Sequence, residues 1–176
     1  TFVYLPPTQR VPMDSAPALG SRNWTMRFEV DRPTGDEAGA LLGFGTVNNG
    51  LVVHIDGDGH FIYDHNAYST HTVVRSPEPL PAGDIVLEVH QERVRRGPAR
   101  ARLLINGEQV AEAIIPLVPV MISSIGMDIG RNPTGVGGSY EAPFAGRLCR
   151  VEVATTRAFR HDEEAAMELA AAAEMQ

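Results

Sequence analysis

Four of the six histidines stand close together, at His54, His60, His65 and His71, interspersed with the acids Asp56, Asp58 and Asp64. Imidazoles and carboxylates at this density could build a metal centre, provided several converge on one point. Along a strand, residues an odd number apart face opposite sides, so His60 and His65 are expected on different faces of a sheet. His54 is expected to meet Tyr63 or Phe61 across a hairpin. The acids do not complete an EF-hand loop. Counting from Asp56, Phe61 stands where that loop needs glycine and Ala67 where it needs glutamate. The expectation is of ordinary surface or cross-strand histidines beside an Asp-rich turn, with no metal ligand assigned. A rim calcium site of another kind stays open.

Other reactive groups are equally sparse. Glu88 and Glu92 share one face of a strand with His90 between them. Paired carboxylates drive glycoside hydrolysis, but this spacing is matched by any solvated strand face. Ser21, Ser123, Ser124 and Ser139 carry no Gly-x-Ser-x-Gly elbow. The Gly130–Gly138 run (GRNPTGVGG) lacks the Gly-Lys-Ser/Thr of a phosphate loop. Cys149 is the single cysteine, which rules out an internal disulfide and a multi-cysteine metal site. Alternation through Arg147–Val151 predicts that it faces the core. No catalytic or cofactor-binding residue is assigned.

The elements that would position these groups are short strands bounded by Gly, Pro or Asp. Residues 23–30 (NWTMRFEV) alternate Trp24, Met26, Phe28 and Val30 with polar neighbours, the period-2 pattern of a strand with one buried face. Further strands are expected over 38–45, 51–56, 60–66, 70–76, 85–94, 101–105, 109–115, 125–130 and 146–154. About ten strands with frequent turns define an all-β sandwich or barrel. Asp56-Gly57-Asp58-Gly59 and Asn106-Gly107 are expected as type I′ hairpin turns. Arg93–Arg100, interrupted by Gly97 and Pro98, reads as a solvated hairpin loop. Phe28, Leu42, Ile55, Leu104 and Val151 are expected in the core. Residues 1–160 form the sandwich in this reading. Residues 161–176 form a terminal helix packed on it or trailing from it, because acids open that run and strong helix formers fill it. Leu169 and Met167 are its few large apolar anchors. The long connection over 130–144 is the expected place of partner contact, with Arg131 and Tyr140 as the contact residues.

The chain of 176 residues carries 22 acids against 15 bases, a net charge of −7, and every base is Arg. That balance argues against nucleic acid as a partner. No apolar run approaches the roughly 18 residues of a membrane span. The sequence opens Thr1-Phe2-Val3 without a signal-peptide pattern. With no disulfide, this favours a cytoplasmic location, although the opening without Met leaves room for residues upstream.

Several segments carry a family resemblance when taken in order: Gly39–Gly45 (GALLGFG), Gly50–Gly57 (GLVVHIDG), Phe61–Asn66 (FIYDHN), Leu104–Gly107 (LING), Gly126–Asn132 (GMDIGRN) and Tyr140–Leu148 (YEAPFAGRL). Over about residues 20–155 this progression resembles the C-terminal accessory region of bacterial arylsulfatases, and more widely the concanavalin A-like, laminin-G-like group. The resemblance implies a jelly-roll β-sandwich of two antiparallel sheets. It further implies a non-catalytic accessory role beside a catalytic domain of the same polypeptide. The alternatives are a carbohydrate- or ligand-binding module and a glycoside hydrolase. The resemblance departs at Asn132, where Asp is usual, and in the short Pro143–Gly146 stretch. The sulfatase motif Cys/Ser-x-Pro-x-Arg is absent, since Cys149 is followed by Arg150-Val151-Glu152. The calcium and formylglycine of such an enzyme would therefore lie in a separate catalytic domain. The chain alone is expected to show no turnover of a chromogenic aryl sulfate; turnover that survives repurification and Cys149→Ser would reveal a different chemistry.

Overall fold

The computed structural model describes residues 1–174, apart from 21, 123, 125, 137–141 and 157–160. Twelve strands form two six-stranded antiparallel sheets. The first sheet runs in the order β1 (Phe2–Tyr4), β12 (Arg147–Thr155), β3 (Trp24–Arg32), β8 (Gly83–Arg93), β9 (Ala99–Ile105), β10 (Glu108–Ile115). The second runs β2 (Arg10–Pro12), β11 (Gly126–Ile129), β4 (Gly39–Thr46), β5 (Asn49–Ile55), β6 (Phe61–Ala67), β7 (Thr70–Arg75). A helix, α1 (His161–Glu174), follows β12. This is the all-β sandwich and terminal helix that the strand pattern predicts, with the two antiparallel sheets that the resemblance implies and two short N-terminal strands added as outer edges.

The core lies between the sheets. Met26, Phe28 and Val30 of β3 and Leu87 and Val89 of β8 meet Leu51, Val53 and Ile55 of β5 and Phe61 and Tyr63 of β6. Polar contacts also cross the gap. Tyr63 donates its hydroxyl to Gln91 Oε1 at 2.9 Å, and its ring meets Trp24 edge-on at 5.8 Å. Trp24 Nε1 donates to the Leu19 carbonyl. Each buried ring therefore keeps its polar atom paired, the arrangement that makes burying Tyr and Trp favourable.

The sheets differ on their outer faces. The central strands of the first alternate: in β8, Ile85, Leu87, Val89 and Gln91 point inward while Glu88, His90 and Glu92 point out. Its outer face is a lattice of charge pairs, Arg27 with Glu29 and Glu88, Arg102 with Glu92 and Glu112, Arg150 with Glu152. The second sheet does not alternate. Every residue of β6 is buried, and the chain after β11 reaches its end, where the Asn66 amide donates to the Val136 carbonyl.

Three expectations need correction. Leu104 is only half-buried, on the outer face; Leu103 is the inward residue, fully buried with Ala99 and Ala101. Cys149 is not a core residue. The β12–β3 register slips between Leu148 and Arg150, and this bulge leaves Cys149 partly exposed beside Glu29 and Val86. The Asp56–Gly59 turn has positive φ at Gly59 alone, so it is not type I′; Gly59 N–H bonds the Asp56 carbonyl, and the Asp56 carboxylate accepts from Asp58 N–H and His60 N–H. Asn106-Gly107, with φ of 50° and 84°, is the type I′ turn expected.

Leu103→Ala should cost on the order of 2–5 kcal/mol in chemical denaturation, and Leu104→Ala less than about 1 kcal/mol. The reverse order would place β9 in the wrong register.

Candidate functional site

The outer face of the second sheet is the natural place to seek a site, since His54, His71, Asp64 and Asp128 lie there. Cross-strand register puts Arg10, Asp128, Gly43, Val52, Asp64 and Val73 in one row across all six strands. Asp128 is fully buried and held by Arg10 at 2.6 Å and Arg131 at 3.0 Å. Asn132 lies directly on Gly43: a Cβ there would come 2.6 Å from Asn132 Oδ1, so glycine is what permits the approach. Val136 is fully buried, and its carbonyl, with that of Val47, accepts from the Asn66 side-chain amide. Ala142 and Pro143 return beside Ala40. This face is therefore largely covered by the chain's own segment.

The four histidines do not converge. His54 pairs with Ile62 across the hairpin, not with Tyr63 or Phe61, and is buried on the outer face. His65 points into the core at 1% exposure, and neither ring nitrogen has a hydrogen-bond partner among the described residues. Burial holds both imidazoles neutral, lowering each pKa to about 4; for His54, Asp56 acts in the opposite direction. His60 sits at the strand entrance with Nδ1 against the Ser76 carbonyl. His71 contacts the Asp64 carboxylate at 2.9 Å. Burial raises the Asp64 pKa, and His71 offsets part of that rise. Asp56 is separately tied to Arg75 and its own turn, so Asp56 and Asp64 serve different contacts. Among the described residues no three His, Cys, Asp or Glu side chains gather as metal ligands would. Glu88 and Glu92 do share a face, but Glu88 contacts His90 at 2.7 Å and Glu92 pairs with Arg102 at 3.1 Å.

Two clefts remain. One, of about 340 Å³, opens between the sheet edges beneath the β1–β2 connection. Tyr4, Ile129, Phe144 and Leu148 line it, with Arg131 and Arg150. Arg131 is thus placed at a cleft while its guanidinium is engaged by Asp128. Tyr140 lies outside the described residues.

The larger cleft, about 680 Å³, lies at the rim where the β6–β7 turn, the β8–β9 turn, the 116–121 segment and α1 meet. Its apolar wall is Leu117, Val118, Pro119, Val120 and Met121. Val120 and Met121 are 77% and 76% exposed. Opposite stands Tyr68, 68% exposed, at the tip of a two-residue turn. Tyr68 and Ser69 have φ of 51° and 67°, a type I′ geometry normally given to Asn and Gly. A bulky residue held there is strained backbone of the kind that gathers at binding sites. Arg22, Arg93 and Arg96 supply the charge. The Arg93 side chain is 2% exposed and bonds Glu164 of α1 at 2.8 Å, so this part of the basic run is buried rather than solvated. Sequence patterning missed this site because its members lie far apart along the chain. The one signal was Tyr68-Ser69 in a gap too short for anything but a tight turn.

No family model matches the sequence, and no match was found among curated proteins. Solved structures do match in fold. The mouse laminin α1 chain domains LG4-5 align with a TM-score of 0.59 and 15% identity over 92% of this chain and 44% of that one. The carbohydrate-binding module CBM40 of the Ruminococcus gnavus IT-sialidase, solved with α2,6 sialyllactose, aligns at 0.58 and 13% over 91% of this chain and 96% of the module. The NanB sialidase of Streptococcus pneumoniae aligns at 0.65 and 12%, over 92% of this chain and 27% of the enzyme. The protein therefore has the concanavalin A-like, laminin-G-like jelly-roll fold. Its neighbours include carbohydrate-binding domains, and the arylsulfatase resemblance gains no support from them. No helix among the described residues is long and apolar enough to cross a membrane.

The buried histidines set a pH dependence. Unfolded, His54 and His65 take a proton near pH 6.5; folded, only near 4. Between these values the unfolded chain binds more protons, so stability is complete above 6.5 and falls as the pH drops towards 4. Each imidazole contributes up to about 3 kcal/mol to that fall. Asp64, its pKa raised, opposes it near the acid end. His65→Leu should visibly shrink the drop in melting temperature between pH 7 and pH 4; an unchanged drop would remove His65 from the account.

Proposed function

We propose that the protein is a carbohydrate-binding jelly-roll module without catalytic machinery, and that its saccharide docks in the rim cleft against Tyr68. The observation that carries this reading is Tyr68 itself, a largely exposed aromatic held in left-handed backbone beside a concave apolar wall and several arginines. An amphipathic ring offers a flat apolar face to a sugar, while a few placed polar groups fix its orientation. The fold alone would not justify the assignment, because one fold hosts many functions. Support comes from the neighbours: one is itself a carbohydrate-binding module solved with a bound sialyllactose.

The module reading is compatible with attachment to a larger enzyme. The match to NanB spans 27% of that chain, the proportion of one domain in a longer hydrolase. An accessory place beside a catalytic domain is proposed on that proportion, and a sulfatase as the catalytic partner rests on the sequence resemblance alone. The hydrolase alternative for this chain has less to support it, since Glu88 and Glu92 are each committed to a neighbour.

The reading is tested on a panel of immobilised oligosaccharides, with calorimetry on the hits. Tyr68→Asn removes the ring while suiting the turn. It should weaken binding by about tenfold or more and leave the melting temperature unchanged or higher. A panel with no hit, or a hit that Tyr68→Asn does not weaken, would overturn the proposal.

A further inference from the structure

The rim cleft runs against the charge of the molecule. The chain as a whole carries −7, yet among the described residues the cleft is lined by Arg22, Arg93 and Arg96 against the single acid Glu164. Their sources differ. Arg22 precedes β3 and donates to the Thr156 carbonyl; Arg93 ends β8; Arg96 stands exposed in the β8–β9 turn. The acid arrives on α1, which supplies little else. Along that helix Ala165, Ala166, Leu169 and Ala170 are exposed, Leu169 by 74%, contrary to the expectation that Leu169 would anchor it. Met167 is half-buried. One turn beyond Glu164, Glu168 faces Arg95 and Arg96 across a neighbouring recess, and residues four apart share a helix face. Among the described residues, α1 thus presents an acidic face to a basic turn and buries little large apolar surface.

We propose that the cleft recognises an anionic group on its ligand, and that the Glu164 carboxylate occupies the place of that group on Arg93 in the ligand-free protein. The ligand class is then an acidic saccharide, carrying a carboxylate or a sulfate; this rests on the carbohydrate reading above. A guanidinium receives either group in the same way, through paired N–H donors. Tyr68 and the Leu117–Met121 wall take the uncharged part of the sugar. Glu164 acts as an intramolecular competitor: the cleft binds only in the fraction of molecules where the carboxylate has moved aside, and affinity is reduced by that fraction. An anion bound from solution replaces the carboxylate and keeps the buried Arg93 charge compensated, so the exchange leaves no uncompensated charge.

The experiment is calorimetry on the full chain with three probes: an unsulfated uronate-containing tetrasaccharide, its sulfated counterpart, and neutral maltotetraose. One or both acidic probes should bind, more weakly as salt is raised, and the neutral one should not. The sulfated and unsulfated arms separate the two sources of charge. Glu164→Gln should tighten the acidic probe by roughly three- to tenfold, with no gain for the neutral one. Arg96→Gln should weaken the acidic probe with an unchanged melting temperature; this variant decides the matter if Glu164→Gln destabilises the fold. Neutral and acidic probes bound equally, with Glu164→Gln silent, would overturn this inference and leave the carbohydrate reading standing. Succinate competing as well as the sugars, with Tyr68→Asn silent, would keep the anion site and overturn the carbohydrate reading. No binding by any probe overturns both.

Discussion

The fold turns on the central strands of the second sheet, β11, β4, β5 and β6, being buried on both faces. The inner face meets the first sheet in the usual way. The outer face is covered by the chain leaving β11, which the structure shows with Asn132 on Gly43, Val136 beside Gly50 and a short parallel bridge from Pro143 to Ala40. On that outer face Val52, Ile62, Asp64 and Asn66 are all buried, and Asn66 bonds the Val136 carbonyl of the covering segment. The same burial explains the polar contacts nearby. Asp128 sits between two arginines, and the Asn66 amide satisfies carbonyls from two separate loops, because a buried polar group without partners is costly.

This constraint decides where a ligand can go. Jelly rolls offer two sheet faces and two rims. In this protein one face is closed by the chain itself and the other is a lattice of paired charges. Exposed ion pairs of that kind contribute little to stability and present no aromatic platform. The rim around Tyr68 is the larger of the two clefts described, and there an exposed aromatic and three exposed apolar residues, Leu117, Val120 and Met121, stand together.

The strand content was legible because turns punctuate this sequence clearly, and because β3 and β8 alternate without a break. Failures have local causes. In β9 the run Leu103-Leu104-Ile105 is apolar at three successive positions, so inspecting those residues alone leaves the parity open; Arg100 and Arg102, pointing out, would have fixed Leu103 as the inward one. Cys149 was placed by alternation across a bulge, and a bulge resets alternation. The edge strands β1 and β2 are three residues each, too short for any period. The pattern gives surface or cross-strand histidines and cannot show that a later loop will cover a sheet. Tyr68 was invisible for a different reason: its meaning depends on φ and on Arg22 and Arg96, which only the fold brings near.

The lysine-free composition acquires a physical use in this setting. Arginine tolerates burial better than lysine because its planar fork can be fully satisfied by fixed acceptors. At the end of the sandwich away from Tyr68, Arg32 is completely buried and donates to the carbonyls of Leu80, Pro81, Glu37 and Gly35, burial lowering its pKa. Those acceptors belong to the backbone of the loops that close that end, so they cannot leave without opening it. At the Tyr68 end, Arg93 is nearly as buried, but the acceptor it shows is a side-chain carboxylate on a helix beyond the last strand. It is this carboxylate that the proposal above has another anion replace while the sandwich stays intact. The two buried arginines thus differ in kind: one is held by the main chain of the loops around it, the other meets a side-chain carboxylate on α1.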